Sequence, residues 1–138
     1  MAKIYFDNAA TTPMHPEVLD AMVSIMREVF GNPSSTHALG RVARTEIEKA
    51  RRTVAQLLQC APAEIFFTSG GTEADNMAIR CSVHDLGVKH LISTRIEHHA
   101  VTHTLDSIEA DGEARVSYLR LLPNGHVDMQ HLEELLQQ

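Results

Sequence analysis

The chain has 138 residues, 43% of them hydrophobic and 22% charged, a balance typical of a folded globular domain rather than a disordered or fibrous chain. Twelve Lys and Arg against eighteen Asp and Glu leave a net charge of -6, which argues against a broad electrostatic footprint on nucleic acid or an anionic membrane. No apolar run approaches the roughly 18 residues of a membrane span, and the start Met-Ala-Lys-Ile-Tyr-Phe-Asp has no signal-peptide pattern, so a cytoplasmic location is expected.

Residues 4–6 read as a short extended start. Pro16 suits the first turn of a helix, and Val18, Leu19, Met22, Met26, Val29 and Phe30 then recur at helical spacing up to Gly31. Gly31-Asn32-Pro33-Ser34-Ser35 is loop chemistry, because Asn32 before a proline is pushed away from helical geometry. Ile47, Ala50, Val54, Leu57 and Leu58 mark the apolar face of a long helix that Pro62 ends.

The Ile-Phe-Phe content of residues 64–68 reads as a strand, followed by the turn Ser69-Gly70-Gly71-Thr72 and a helix whose spacing resumes at Ala74, Met77, Ala78 and Cys81. Residues 90–93 form a second strand, 100–108 a helix, and 115–121 a third strand that Pro123-Asn124-Gly125 breaks. Asp128 is placed to cap a last helix through Met129, Leu132 and Leu136. Strands alternating with helices predict an α/β fold with a mostly parallel sheet, and no repeat, low-complexity tract or linker divides the chain.

Two glycines in Thr68-Ser69-Gly70-Gly71-Thr72-Glu73 let backbone approach a ligand closely, and the N–H groups opening the next helix attract an anion. The hydroxyls of Ser69 and Thr72 add donors. The alternative is a plain strand-to-helix turn. A nucleotide-hydrolysing loop would need a lysine after the glycines, and none follows.

In Glu97-His98-His99-Ala100-Val101-Thr102-His103, His99 and His103 stand four apart as two zinc ligands would, but Ala100 occupies the place of the glutamate in the zinc-protease motif. No metal site is expected. A histidine at the carboxyl edge of a sheet can instead stack on a planar ligand or exchange protons with it; the plainer reading makes each a surface or capping residue. The cysteines, Cys60 and Cys81, form no CxxC pair, and Cys81 falls on an apolar stripe, so both read as structural.

Taken in order, Tyr5-Phe6-Asp7-Asn8-Ala9-Ala10-Thr11-Thr12-Pro13, Phe30-Gly31-Asn32-Pro33-Ser34-Ser35 with His37 and Gly40, Phe67-Thr68-Ser69-Gly70-Gly71-Thr72-Glu73-Ala74-Asp75-Asn76, and Glu97-His98 ahead of Ala100-Val101 resemble the N-terminal part of the NifS/IscS-like cysteine desulfurases. These belong to the class V aminotransferase family of fold-type I, pyridoxal-phosphate enzymes. The resemblance implies that residues 1–15 lie on the small-domain side near the active-site entrance and that 16–138 are the N-terminal part of the large, cofactor-binding domain, with a mostly parallel sheet flanked by helices. It further implies that Gly71 and Thr72 hold the phosphate of pyridoxal 5'-phosphate and that His98 stacks over its ring and helps move protons.

By the same resemblance the whole enzyme is a homodimer that takes sulfur from L-cysteine, leaves L-alanine and an enzyme persulfide, and passes sulfur to an iron-sulfur scaffold or another acceptor protein. The lysines Lys3, Lys49 and Lys89 do not stand in the family's Ser-x-His-Lys context, and neither cysteine matches the persulfide cysteine, so a missing C-terminal portion is expected to carry both groups and the chain alone to be inactive. The family's strand order also places further strands between the one ending at Thr68 and the one over 90–93. Such open edges favour aggregation of an isolated piece. Two alternatives are a noncatalytic pyridoxal-phosphate or phosphate-binding module and another class V aminotransferase-like enzyme.

Overall fold

The computed structural model describes residues 4–137, in the order α1 (Pro16–Glu28), α2 (Ala38–Leu58), a 3-10 turn (Pro62–Glu64), α3 (Gly71–His84), β1 (His90–Ser93), α4 (His99–Ala110), β2 (Arg115–Tyr118) and α5 (Met129–Leu136). Although no linker is visible in the sequence, the chain divides into two compact units, residues 1–66 and 67–138. The expected segment 1–15 begins in residues outside those described.

In the first unit, Pro16 and Glu17 open α1, where a missing N–H costs nothing and a carboxylate favours the positive end of the helix dipole. The helix ends at Glu28, short of Gly31, and buries no residue. The loop that follows is set by Asn32, whose Oδ1 accepts the Ser34 N–H at 2.9 Å while its carbonyl accepts the Ser35 N–H at 3.0 Å. Gly40 packs against this loop so closely that a Cβ would stand 2.5 Å from the Ser35 carbonyl oxygen and 2.6 Å from that of Asn32. The helix α2 stops at Leu58 because Gln59 takes a left-handed conformation, φ 56°, and the Cys60 N–H reaches back 3.0 Å to the Ala55 carbonyl. Pro62 therefore opens the next turn rather than ending α2.

The strand expected over 64–68 does not form. Glu64 is drawn into the 3-10 turn, its carboxylate accepting the Ala61 N–H at 2.7 Å, and residues 65–68 join no ladder among the described residues. A strand needs a partner as well as β-prone residues, and the sheet described has two strands, β1 and β2.

Those two strands pair in parallel, with His90 opposite Arg115 and Ser93 opposite Tyr118. The third strand expected over 115–121 is cut short as β2: beyond Tyr118 the Leu119 N–H still reaches the Ser93 carbonyl at 2.8 Å, but Leu121 turns to an isolated antiparallel bridge with Val127. The crossover helix α4 supplies Ile108, fully buried against Val83 and Ala114, with Ile79 and Leu91 packed around them. Burying a side chain of that size contributes about 1.5–3 kcal/mol. Gly112, at φ 70°, releases α4 toward β2, and the Glu113 N–H closes the end on the Ile108 carbonyl at 3.0 Å. Asp128 caps α5 as expected, accepting the His131 N–H at 3.1 Å.

Candidate functional site

The site is built in the second unit, where α3 and α4 begin. Helical spacing in the sequence places the start of α3 at Ala74, yet the helix begins three residues earlier, at Gly71. Gly71, Thr72 and Glu73 carry no apolar side chain to mark the period. Gly70 is the N-cap, in extended conformation at φ 165°, and makes no side-chain cap. Among the described residues the amides of Gly71 and Thr72 meet no acceptor, so two N–H donors and the positive end of the helix dipole face outward together.

Neither glycine of this turn is required by its surroundings. A Cβ on Gly70 or Gly71 would have nothing within 4 Å, and an extended or helical backbone accepts any L-residue. The cost of glycine in a first helical turn is thus uncompensated by packing, whereas backbone left bare beside free N–H groups is what close approach of a phosphate needs.

Glu73 braces the turn, its carboxylate accepting the Ser69 N–H at 2.6 Å. That backbone hydrogen bond first, and the Ser69 hydroxyl second, hold the Glu73 carboxyl below its ordinary range. Thr68 donates its hydroxyl to the Gly70 carbonyl at 3.1 Å, fixing the N-terminal side of the turn.

Across a groove of about 380 Å³, α4 begins at His99, with His98 directly before it. His98 is the N-cap, its Nδ1 accepting the Ala100 N–H at 3.1 Å. That bond assigns the acceptor role to Nδ1, so the neutral ring carries its proton on Nε2. The ring is exposed and lines the same groove as Thr72. The structure thus brings Thr72 and His98 to one groove; Gly71, next to Thr72 in the chain, is not among its lining residues.

Asn76, Arg80 and Thr104 line the groove as well, and sequence reading did not single them out for a site. Asn76 stands one helical turn after Thr72, but nothing in that spacing marks it as part of a site; its partners come from the packing of α3 on α4. Arg80 donates to the Ser107 hydroxyl at 3.3 Å across the two helices. His99 and His103 also face the groove, their rings stacked at 5.1 Å between centroids. Among the described residues no group of three or more His, Cys, Asp or Glu side chains is arranged to hold a metal ion.

Cys81 is not among the residues that line the groove. Cys81 is exposed rather than part of an apolar stripe, because its face of α3 turns away from the Val83 and Ile108 core. A hydrogen bond with Asp85 pushes its thiol pKa up, which disfavours the reactive thiolate. Cys60 is half-buried after the left-handed Gln59. The segments at 7–12 and 32–35 belong to the first unit. Among the described residues no helix is long and apolar enough to cross a membrane.

A family model described as Aminotransferase class-V matches residues 4–138. The cysteine desulfurase IscS of Dictyoglomus turgidum (strain DSM 6724 / Z-1310) is 43% identical over 136 residues, covering 97% of this chain and 34% of that protein. Among solved structures, a NifS-like protein superimposes with a TM-score of 0.88 at 38% identity, covering 97% of this chain and 37% of that one. A structure described as SspA in complex with cysteine gives a TM-score of 0.84 at 36% identity, over 94% of this chain and 38% of that one. The chain spans about a third of the length of these three proteins.

Proposed function

The chain belongs to the class-V aminotransferase family, and from that premise we propose that it is the N-terminal part of a pyridoxal-phosphate-dependent cysteine desulfurase. The reaction assigned to the whole enzyme removes sulfur from L-cysteine, leaving L-alanine and an enzyme persulfide whose sulfur passes to an iron-sulfur scaffold or another acceptor protein. The observation that carries this reading is the pair Gly70 and Gly71, left bare without any demand from packing, directly before unpaired helix amides and in the unit whose groove joins Thr72 to His98. The similarity to cysteine desulfurases, and to a structure described as SspA in complex with cysteine, supports the choice of substrate.

In this reading the Gly71 and Thr72 amides, with the Thr72 hydroxyl, bind the cofactor phosphate, each hydrogen bond strengthened by the charge on its acceptor. His98 lies against the face of the cofactor ring. Its Nδ1 is committed to the Ala100 N–H, so Nε2 is the atom that holds or delivers a proton. When bound, pyridoxal phosphate supplies the electron sink for bond cleavage in the substrate amino acid. The cofactor-anchoring lysine and the persulfide-forming cysteine are assigned to the C-terminal portion of the enzyme, and two such enzymes form a homodimer. The raised thiol of Cys81 fits its exclusion from that nucleophilic role.

The test is to incubate the chain with pyridoxal phosphate and L-cysteine, alone and with the C-terminal portion of a related desulfurase. Alanine and sulfide appearing only in the second mixture support the reading. A well-folded complex that releases neither counts against it.

A second reading rests on Lys89, which directly precedes β1 and is not among the residues lining the groove: a noncatalytic module that holds the cofactor by its phosphate alone. It expects saturable binding that borohydride does not make covalent, and a folded chain with no binding would refute it.

A further inference from the structure

We propose that Asn76 is a positioning residue that sets the phosphate-binding turn of α3 against His98; the inference rests on the cofactor assignment above and adds a residue to it. Asn76 lines the groove, half-buried, and its carboxamide makes three directed contacts. Its Nδ2 donates to the Thr72 carbonyl at 2.8 Å and to the Ala100 carbonyl at 3.4 Å, and its Oδ1 accepts the Thr104 hydroxyl at 2.8 Å. Two carbonyl oxygens on one side and a hydroxyl on the other fix which end of the amide is nitrogen.

The partners give these bonds their meaning. Thr72 is the second residue of α3 and one of the two amides offered to the phosphate. Ala100 is the residue whose N–H is held by His98 Nδ1. A continuous hydrogen-bonded path therefore runs from the Thr72 carbonyl through the Asn76 amide to Ala100, and from the Ala100 N–H to the His98 ring. The hydroxyl of Thr104, a residue 3% exposed, also lies 2.7 Å from the Ala100 carbonyl, one turn back along α4, so its single proton is shared between that carbonyl and Asn76 Oδ1. It keeps the amide oriented from the far side. A ligand gripped by its phosphate at one end and stacked on an imidazole at the other depends on the separation of those two groups, and displacement by a fraction of an ångström weakens both contacts at once.

Asparagine is the side chain this place requires. Aspartate has the same shape but presents an oxygen to the Thr72 and Ala100 carbonyls, replacing two hydrogen bonds with repulsion. A residue that only filled space here would tolerate a change at Thr104 from hydroxyl to methyl; a positioning residue would not.

The experiment uses the chain assembled with its C-terminal portion and compares the unsubstituted protein with Asn76→Asp, Thr104→Val and Thr104→Ser. The pyridoxal-phosphate dissociation constant, the circular dichroism that the bound ring acquires and the melting temperature are read on each. Asn76→Asp and Thr104→Val are expected to weaken cofactor binding roughly tenfold, as the loss of about one directed hydrogen bond implies, and to reduce the ring signal at saturation, while Thr104→Ser restores both. Asn76→Asp and Thr104→Val proteins that keep the unsubstituted dissociation constant and ring signal overturn the inference, whatever their melting temperatures. If Asn76→Asp fails to fold, the Thr104 pair decides by the same criterion. An unsubstituted assembly that folds but takes up no cofactor overturns the functional reading, and this inference with it.

Discussion

The two units of the chain use their glycines in opposite ways. In the first, Gly31 and Gly40 are forced by packing: a Cβ on Gly31 would stand 2.3 Å from the Leu39 carbonyl oxygen, and one on Gly40 would meet two loop carbonyls. In the second, Gly70 and Gly71 border open space. Apolar side chains differ in the same sense. In the first unit α1 buries nothing, and Met26 and Phe30 are 75% and 76% exposed, whereas the second unit encloses Val83, Leu105, Ile108, Ala114 and Val116. A glycine that packing or a positive φ dictates, as at Gly40 and Gly112, reports on the fold, and one that neither requires, as at Gly70 and Gly71, points to what approaches it from outside.

The strongest way to break this comparison is through the cores. Ile108→Ala should cost about 2–5 kcal/mol of unfolding free energy, because it empties a fully enclosed site, while Met26→Ala should change it by less than about 0.5 kcal/mol. Denaturant unfolding of the two variants makes the check, and equal losses would mean that the units do not differ as described.

The glycines come next. Gly40→Ala forces two carbonyls apart and should cost about 1–3 kcal/mol. Gly71→Ala should leave stability unchanged or raise it by up to about 1 kcal/mol through helix propensity, while weakening phosphate binding by crowding the amides. Thermal melts, with and without pyridoxal phosphate, separate the two effects.

Much of this architecture was legible in the sequence because local rules govern it. Pro16, the Asn32-Pro33 loop and Asp128 each act on neighbours within a few residues, and β1 at 90–93 is bounded as its pattern predicts. Residues 64–68 misled for a physical reason: β-prone side chains describe a strand's faces and not its partner, and Glu64 went to the Ala61 amide instead. The glycine turn and His98 stand out as sequence, but Asn76 does not, because its role lies in bonds to Ala100 and Thr104, which only the packing of α3 on α4 brings within reach. Cys81 was misplaced by reading Met77 and Ala78 as one stripe, when the buried face of α3 runs through Ile79 and Val83.

Smaller effects sharpen the second unit's account. Asp128→Ala removes the side-chain acceptor for the His131 N–H and should cost about 1 kcal/mol, visible as earlier melting of α5 in hydrogen exchange. The least effect concerns Glu73. Its carboxyl is held low by the Ser69 N–H, so the stabilisation it gives the turn is present above its unfolded-state pKa and is lost as pH falls through the lower folded value. Glu73→Gln should flatten that acid-side dependence, and a carboxyl of Glu73 titrating at or above the ordinary range by NMR would remove the brace from the account.

The central claim is that the bare turn before α3 and the N-cap of α4 form one cofactor site. The most direct test is an NMR titration of the chain with pyridoxal phosphate, following the amides of Gly71 and Thr72 together with the His98 ring. The account predicts that all three shift along one saturable curve and that inorganic phosphate moves the Gly71 and Thr72 amides alone. Cofactor binding that leaves those amides unmoved, or that shifts them without the His98 ring, would contradict it.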